Sequence, residues 1–105
     1  VAQAERAHLA IRQRVGAGGT FDDLMHLAEL ARKRNAVIEE RGYLKTAMAR
    51  ALDRPEPYYW LGESWERQGD EKRAIQYYYM AVTASHDCQP AIYALKRLGK
   101  PVNGR

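Results

Sequence analysis

Four sets of residues have types and spacings that chemistry could use. Cys88 stands two residues from His86, and a thiol beside an imidazole is the beginning of a cysteine nucleophile. Residues two apart on a helix do not share a face, however, so Cys88 reads as a free, buried or half-buried thiol. As the only cysteine, it also excludes an intramolecular disulfide. His26 has Asp22 one turn before it and Glu29 one turn after, three metal-ligand types on one helical face, but no second histidine stands at a matching spacing. Glu63 and Glu66 are carboxylates one turn apart, as an acid–base pair would need. They read instead as the wall of a solvated groove. Gly16-Ala17-Gly18-Gly19 has the glycine content of a phosphate loop without its preceding strand or its Gly-Lys-Ser/Thr ending, and reads as a linker. The expectation is a chain that is not an enzyme and carries neither metal nor cofactor.

Positioning such residues takes a fold, and the composition bounds it. The 105 residues make one domain's worth of chain, 46% apolar and 29% charged, which is ordinary for a soluble globular protein. No apolar run approaches the roughly 18 residues of a membrane span, and no signal-peptide pattern is present. The chain opens at Val1, as an excised domain or processed product would. A cytoplasmic location is the expectation, with the periplasm as the alternative if an upstream signal or anchor has been removed. The net charge of +4 is mild, and the basic residues are interleaved with acidic ones, as in Arg32-Lys33-Arg34 followed by Glu39-Glu40-Arg41. Basic residues near helix C-termini are also what the helix dipole favours.

Strand-like alternation is absent and helical periodicity runs throughout. A first helix is expected over 2–15, ended by the glycine-rich stretch. Thr20 then caps a second helix over 21–34, with Asp22 and Asp23 in its first turn and Asn35 as a left-handed stop. A third helix covers 36–52. Arg54-Pro55-Glu56-Pro57 interrupts and opens a fourth helix to Gln68, since proline suits a first turn and fails in an interior. Gly69-Asp70 turns the chain into a fifth helix over 71–85. Pro90 opens a sixth, which Gly99-Lys100-Pro101 ends, leaving a tail over 100–105.

Six helices with short links fit either a bundle or a solenoid, and internal repetition separates the two. Tyr58, Leu61-Gly62 and Trp65 are followed by Gly69-Asp70, Ala74, Tyr78 and Ala81 within a period of about 34 residues. One period earlier stand Leu24, Leu27, Ala28, Ala31, Asn35, Leu44 and Ala47, with Glu40 as the exception under Ala74. A glycine costs about 1 kcal/mol inside a helix, so Gly62 implies a close approach of two helices. Tyr78 is expected in the core, with Tyr77 and Tyr79 packing partly on either side.

This pattern resembles the tetratricopeptide repeat, strongly over 55–88, moderately over 21–54 as a degenerate repeat, and weakly at the ends. His86 stands where the repeat's closing proline is expected, and a related helical-pair class is the close alternative. The resemblance implies an all-α, antiparallel helix-pair solenoid fragment of about six helices. Residues 2–15 would be half a repeat and 89–99 a capping helix.

It also implies where partners bind, because first helices of successive pairs line a concave groove. The exposed positions there are Asp22, Met25, His26, Glu29, Arg32 and Lys33, then Glu56, Tyr59, Trp60, Glu63, Glu66 and Arg67, then Tyr93 and Arg97. Tyr59, Trp60 and Tyr93 are the strongest candidates, large aromatics being the usual interface anchors; Trp60 as inter-repeat core is the competing reading. Some members of the family clamp a C-terminal carboxylate with Lys and Asn. Met25 and Tyr59 replace those lysines here, and Glu29 and Glu63 those asparagines, which argues against that clamp. The implied function is binding of a peptide, helix or partner protein, as a scaffold or assembly part of a larger system, by analogy bacterial secretion or envelope machinery. An RNA-binding helical repeat using Arg and Tyr is the second reading, and a helical accessory domain of an enzyme the third.

Overall fold

The computed structural model describes residues 20–102. Among them are five helices and no strand: α1 (Phe21–Lys33), α2 (Val37–Arg50), α3 (Glu56–Arg67), α4 (Glu71–Ala84) and α5 (Gln89–Arg97). The fold is therefore all-α with adjacent helices packed in pairs, as in a helical-repeat fragment. The helix expected over 2–15 and the glycine-rich linker after it lie outside the described residues. The chain divides at Ala51/Leu52 into two compact units.

In the first unit, α1 packs on α2. The Thr20 hydroxyl accepts from the Asp23 amide at 3.1 Å, and Asp22 and Asp23 occupy the positive end of the helix dipole. Asn35 ends α1 in the left-handed region at φ 59°. The Asn35 amide then donates to the Arg32 carbonyl at 3.0 Å, and the Ala36 amide to the Ala31 carbonyl at 2.9 Å. This paired closure satisfies carbonyls that a helix end would leave without partners. Leu24, Leu27, Ala28, Leu30, Ala31, Leu44 and Ala47 are buried. So is Glu40, at the position where the second hairpin has Ala74.

In the second unit, α3 packs on α4 and α4 on α5. Pro57 falls in the first turn of α3, where its missing N–H costs nothing. Gly69 at φ 84° and Gly99 at φ 74° end α3 and α5 with the same paired closure that Asn35 makes. Asp70 caps α4, its carboxylate accepting from the Arg73 amide at 3.0 Å. The core holds Leu61, Ala74, Tyr78, Ala81, Cys88, Ala91, Ala94 and Leu95. Tyr78 is fully buried, while Tyr77 and Tyr79 are half-buried, as expected on either side of it.

Gly62 meets Tyr78 directly. A Cβ added at Gly62 would stand 2.5 Å from Tyr78 Cε1 and 2.6 Å from Cδ1. Only glycine lets the ring lie flat against α3, which offsets its helix-propensity cost. The segment after α5 does not fray at once: Tyr79 Oη donates to the Pro101 carbonyl at 2.7 Å, and Val102 packs against the core.

Candidate interaction face

The expected face of α1 is less exposed than its helical spacing suggests. Met25, Glu29 and Arg32 are half-buried and His26 is exposed. Glu29 lies between His26 Nδ1 at 3.9 Å and Lys33 Nζ at 3.7 Å. Glu29 thus pairs with Lys33 along the helix; among the described residues, His, Cys, Asp and Glu form no group of three that could hold a metal ion.

The second unit carries a more specific arrangement. Tyr59 and Glu63 lie one turn apart on α3, and Tyr59 Oη donates to Glu63 Oε2 at 2.8 Å. The Tyr59 ring packs on Tyr78 at 5.7 Å between centroids, tilted by 37°. That contact fixes the aromatic body while the hydrogen bond fixes its tip. One turn on, Glu66 accepts from Tyr78 Oη at 2.6 Å and from Arg97 Nη1 and Nη2 at 2.5 and 3.0 Å. A single carboxylate so joins α3, α4 and α5, with a bidentate guanidinium reaching it from 31 residues away.

These contacts set the electrostatics. The Arg97 hydrogen bonds hold the Glu66 carboxyl below its usual 4.5, with partial burial opposing and Tyr78 adding to the effect. Burial first, then the bond to Glu66, pushes the Tyr78 hydroxyl far above its ordinary value. The Glu66 hydrogen bonds raise Arg97 in turn. Tyr78 and Arg97 therefore keep their protons and Glu66 keeps its charge at neutral pH, so the charge-assisted contacts joining the three helices are in place there.

Of the remaining expected residues, Trp60 is half-buried, between the two readings considered for it, and Arg67 is exposed. Tyr93 is 70% exposed. Arg97 is exposed but already engaged by Glu66, so it serves the frame first. Glu66 and Tyr78 were legible only as a groove wall and a core ring. The Tyr59–Glu63 bond carried a sequence signal, since residues four apart share a helix face. The Glu66–Arg97 pair carried none.

Two further features bear on binding. Cys88 is buried just before α5 and His86 is exposed, an arrangement of a packed thiol. An open depression of about 590 Å³ is lined by Leu52, Asp53, Tyr58, Tyr79, Met80 and Thr83, with Leu52 and Met80 well exposed. No described helix is long and apolar enough to cross a membrane. The chain matches no protein-family model and no curated protein.

Proposed function

We propose that the chain is a protein-binding module of tetratricopeptide-like helical hairpins. It takes a peptide, a helix or a partner's surface on the exposed faces of its first helices. The observation that carries this is Tyr59: a large aromatic at the surface of α3, held from below by Tyr78 and at its tip by Glu63. An anchor fixed before binding loses little side-chain entropy on complex formation, so its contact area converts well into affinity. Trp60 and Tyr93 extend the aromatic surface, and Arg67 offers a charge to an acidic group of the partner. The partner expected is an amphipathic segment with an apolar centre and some negative charge, docked as a helix in a groove. As a scaffold, the chain contributes to assembly of a larger system and performs no catalysis; a bacterial secretion or envelope setting rests on analogy.

Capture from the source organism's lysate with wild-type and Tyr59→Ala chains tests this. The substitution is expected to weaken partner binding by about 1–3 kcal/mol; because the ring also packs on Tyr78 some stability is lost too, so binding is compared well below the melting temperature of both chains. Glu63→Gln keeps an acceptor for Tyr59 and is expected to bind almost as the wild type does. The same partners recovered equally with both chains would remove α3 as the binding face.

A further inference from the structure

The second unit carries its charge unevenly. The end of α3, the start of α4 and the end of α5 share one end of this unit, because the helices alternate in direction and Arg97 of α5 reaches Glu66 of α3. Arg67, Lys72, Arg73, Lys96, Arg97 and Lys100 all belong to that end. The opposite end holds Asp53, Glu56 and Asp87 with Arg54. At the basic end, Glu66 is taken by Arg97 and Asp70 by Arg73, whose guanidinium also lies over the Trp65 ring at 4.6 Å; Glu71, exposed in the first turn of α4, also stands at this end, so the cations outnumber the carboxylates without being alone. Lys72, Lys96 and Lys100 are exposed and make no ion pair among the described residues.

Folding accounts for only some of this. Cations at the end of α5 complement its dipole, but Lys72 lies in the first turn of α4, where the positive end of the dipole disfavours it. Beside these lysines stands Tyr93, one turn before Lys96 and Arg97 on α5 and 70% exposed. Exposed lysines at the same end of a unit as an exposed aromatic ring are the elements of a stacking platform on a phosphate-binding surface.

We propose that this end of the second unit binds single-stranded nucleic acid, with backbone phosphates on Lys72, Lys96 and Lys100 and a base stacked on Tyr93. An acidic protein segment would use the lysines equally well, but it has no base-like face to set on the tyrosine; the ring is what favours nucleic acid. The surface shares Tyr93 with the face proposed for a protein partner but does not include the Tyr59–Glu63 contact, so the lysine variants and Tyr59→Ala separate the two readings.

The test is fluorescence anisotropy of a labelled single-stranded uridylate oligomer with the whole chain at low salt, with oligoglutamate as an unlabelled competitor. Wild-type affinity should fall steeply with salt. Lys72→Ala/Lys96→Ala/Lys100→Ala together should weaken binding about tenfold or more and reduce the slope of log affinity against log salt by about two, at roughly 0.7 per phosphate contact. Tyr93→Ala should weaken binding several-fold with the slope unchanged, and Tyr59→Ala should leave it as it is. Lys72, Lys96, Lys100 and Tyr93 are exposed while Tyr59 is half-buried against Tyr78, and unchanged circular dichroism of each variant would exclude misfolding as the cause. Absence of binding at low salt, or a triple variant that binds like the wild type, would overturn the proposal. So would oligoglutamate competing as strongly as the oligomer with Tyr93→Ala indifferent, which would make this an acidic-peptide surface.

Discussion

The two hairpins, α1 with α2 and α3 with α4, are offset by 34 residues and end their first helices with the same left-handed closure, at Asn35 and Gly69. They differ in how each frame is filled. The first sets Ala28, Leu44 and Glu40 where the second sets Gly62, Tyr78 and Ala74, all of them buried. It begins its second helix on Ala36 with no side-chain cap, where the second uses Asp70. An aliphatic residue at the Leu44 position needs only volume. A tyrosine there needs a glycine opposite its ring and an acceptor for its hydroxyl, and Gly62 and Glu66 supply them. The comparison teaches that one backbone frame can be filled around an aliphatic residue, with the charged Glu40 and Arg41 buried beside it, or around a tyrosine whose hydroxyl is tied to a carboxylate. In the second hairpin Tyr59 packs on that tyrosine, whereas in the first Tyr43 packs on Leu27 and Leu30.

The largest break in this comparison is expected at Gly62. Gly62→Leu forces its Cβ into Tyr78 and should destabilise by about 3 kcal/mol or more through overpacking, lowering the melting temperature by roughly 10 °C or more. Ala28→Gly, one period earlier, should cost only about 1 kcal/mol from helix propensity. Equal melting temperatures for wild type and Gly62→Leu would undo the packing account.

A smaller effect, of opposite sign in the two hairpins, is expected at the caps. Asp70→Ala should destabilise by about 1 kcal/mol and Ala36→Asp should stabilise by about half as much or more, both read by chemical denaturation.

The smallest expected effect is on pH dependence. Glu66 has its folded-state pKa held below the ordinary 4.5 by Arg97. Its contribution is therefore present above about pH 4.5 and is lost as pH falls through the depressed value. Glu66→Gln should flatten the acid limb of the melting-temperature profile, and an unchanged acid limb would mean that the carboxylate is not coupled to folding.

Much of the frame was legible in the sequence because it rests on local rules. Thr20, Asn35, Pro57, Gly69 and Gly99 mark helix ends through their own backbone and capping chemistry, and the boundaries of the five described helices fall close to the expected residues. The Gly62–Tyr78 contact was foreshadowed because an interior helix glycine calls for a close neighbour. Less of the candidate face was legible. Arg97 stood among the expected groove residues, but its bidentate pairing with Glu66 depends on how α5 returns beside α3, which no spacing rule encodes. Trp60 stayed ambiguous for a related reason: its half-burial is set by packing, and both solvent and core faces of α3 accept an indole. The hold of Pro101 and Val102 on α4 was also hidden, since a Gly-Lys-Pro ending reads as a free tail.

The central claim is that the second hairpin is the stiffer frame because its ring, glycine and carboxylate are interlocked. Native-state amide hydrogen exchange on the whole chain tests it most directly. The account predicts the slowest exchange at amides within Leu61–Trp65 and Ala74–Tyr78, with those of Leu27–Ala31 and Leu44–Ala47 opening more readily. First-hairpin amides exchanging as slowly as these, or more slowly, would contradict it.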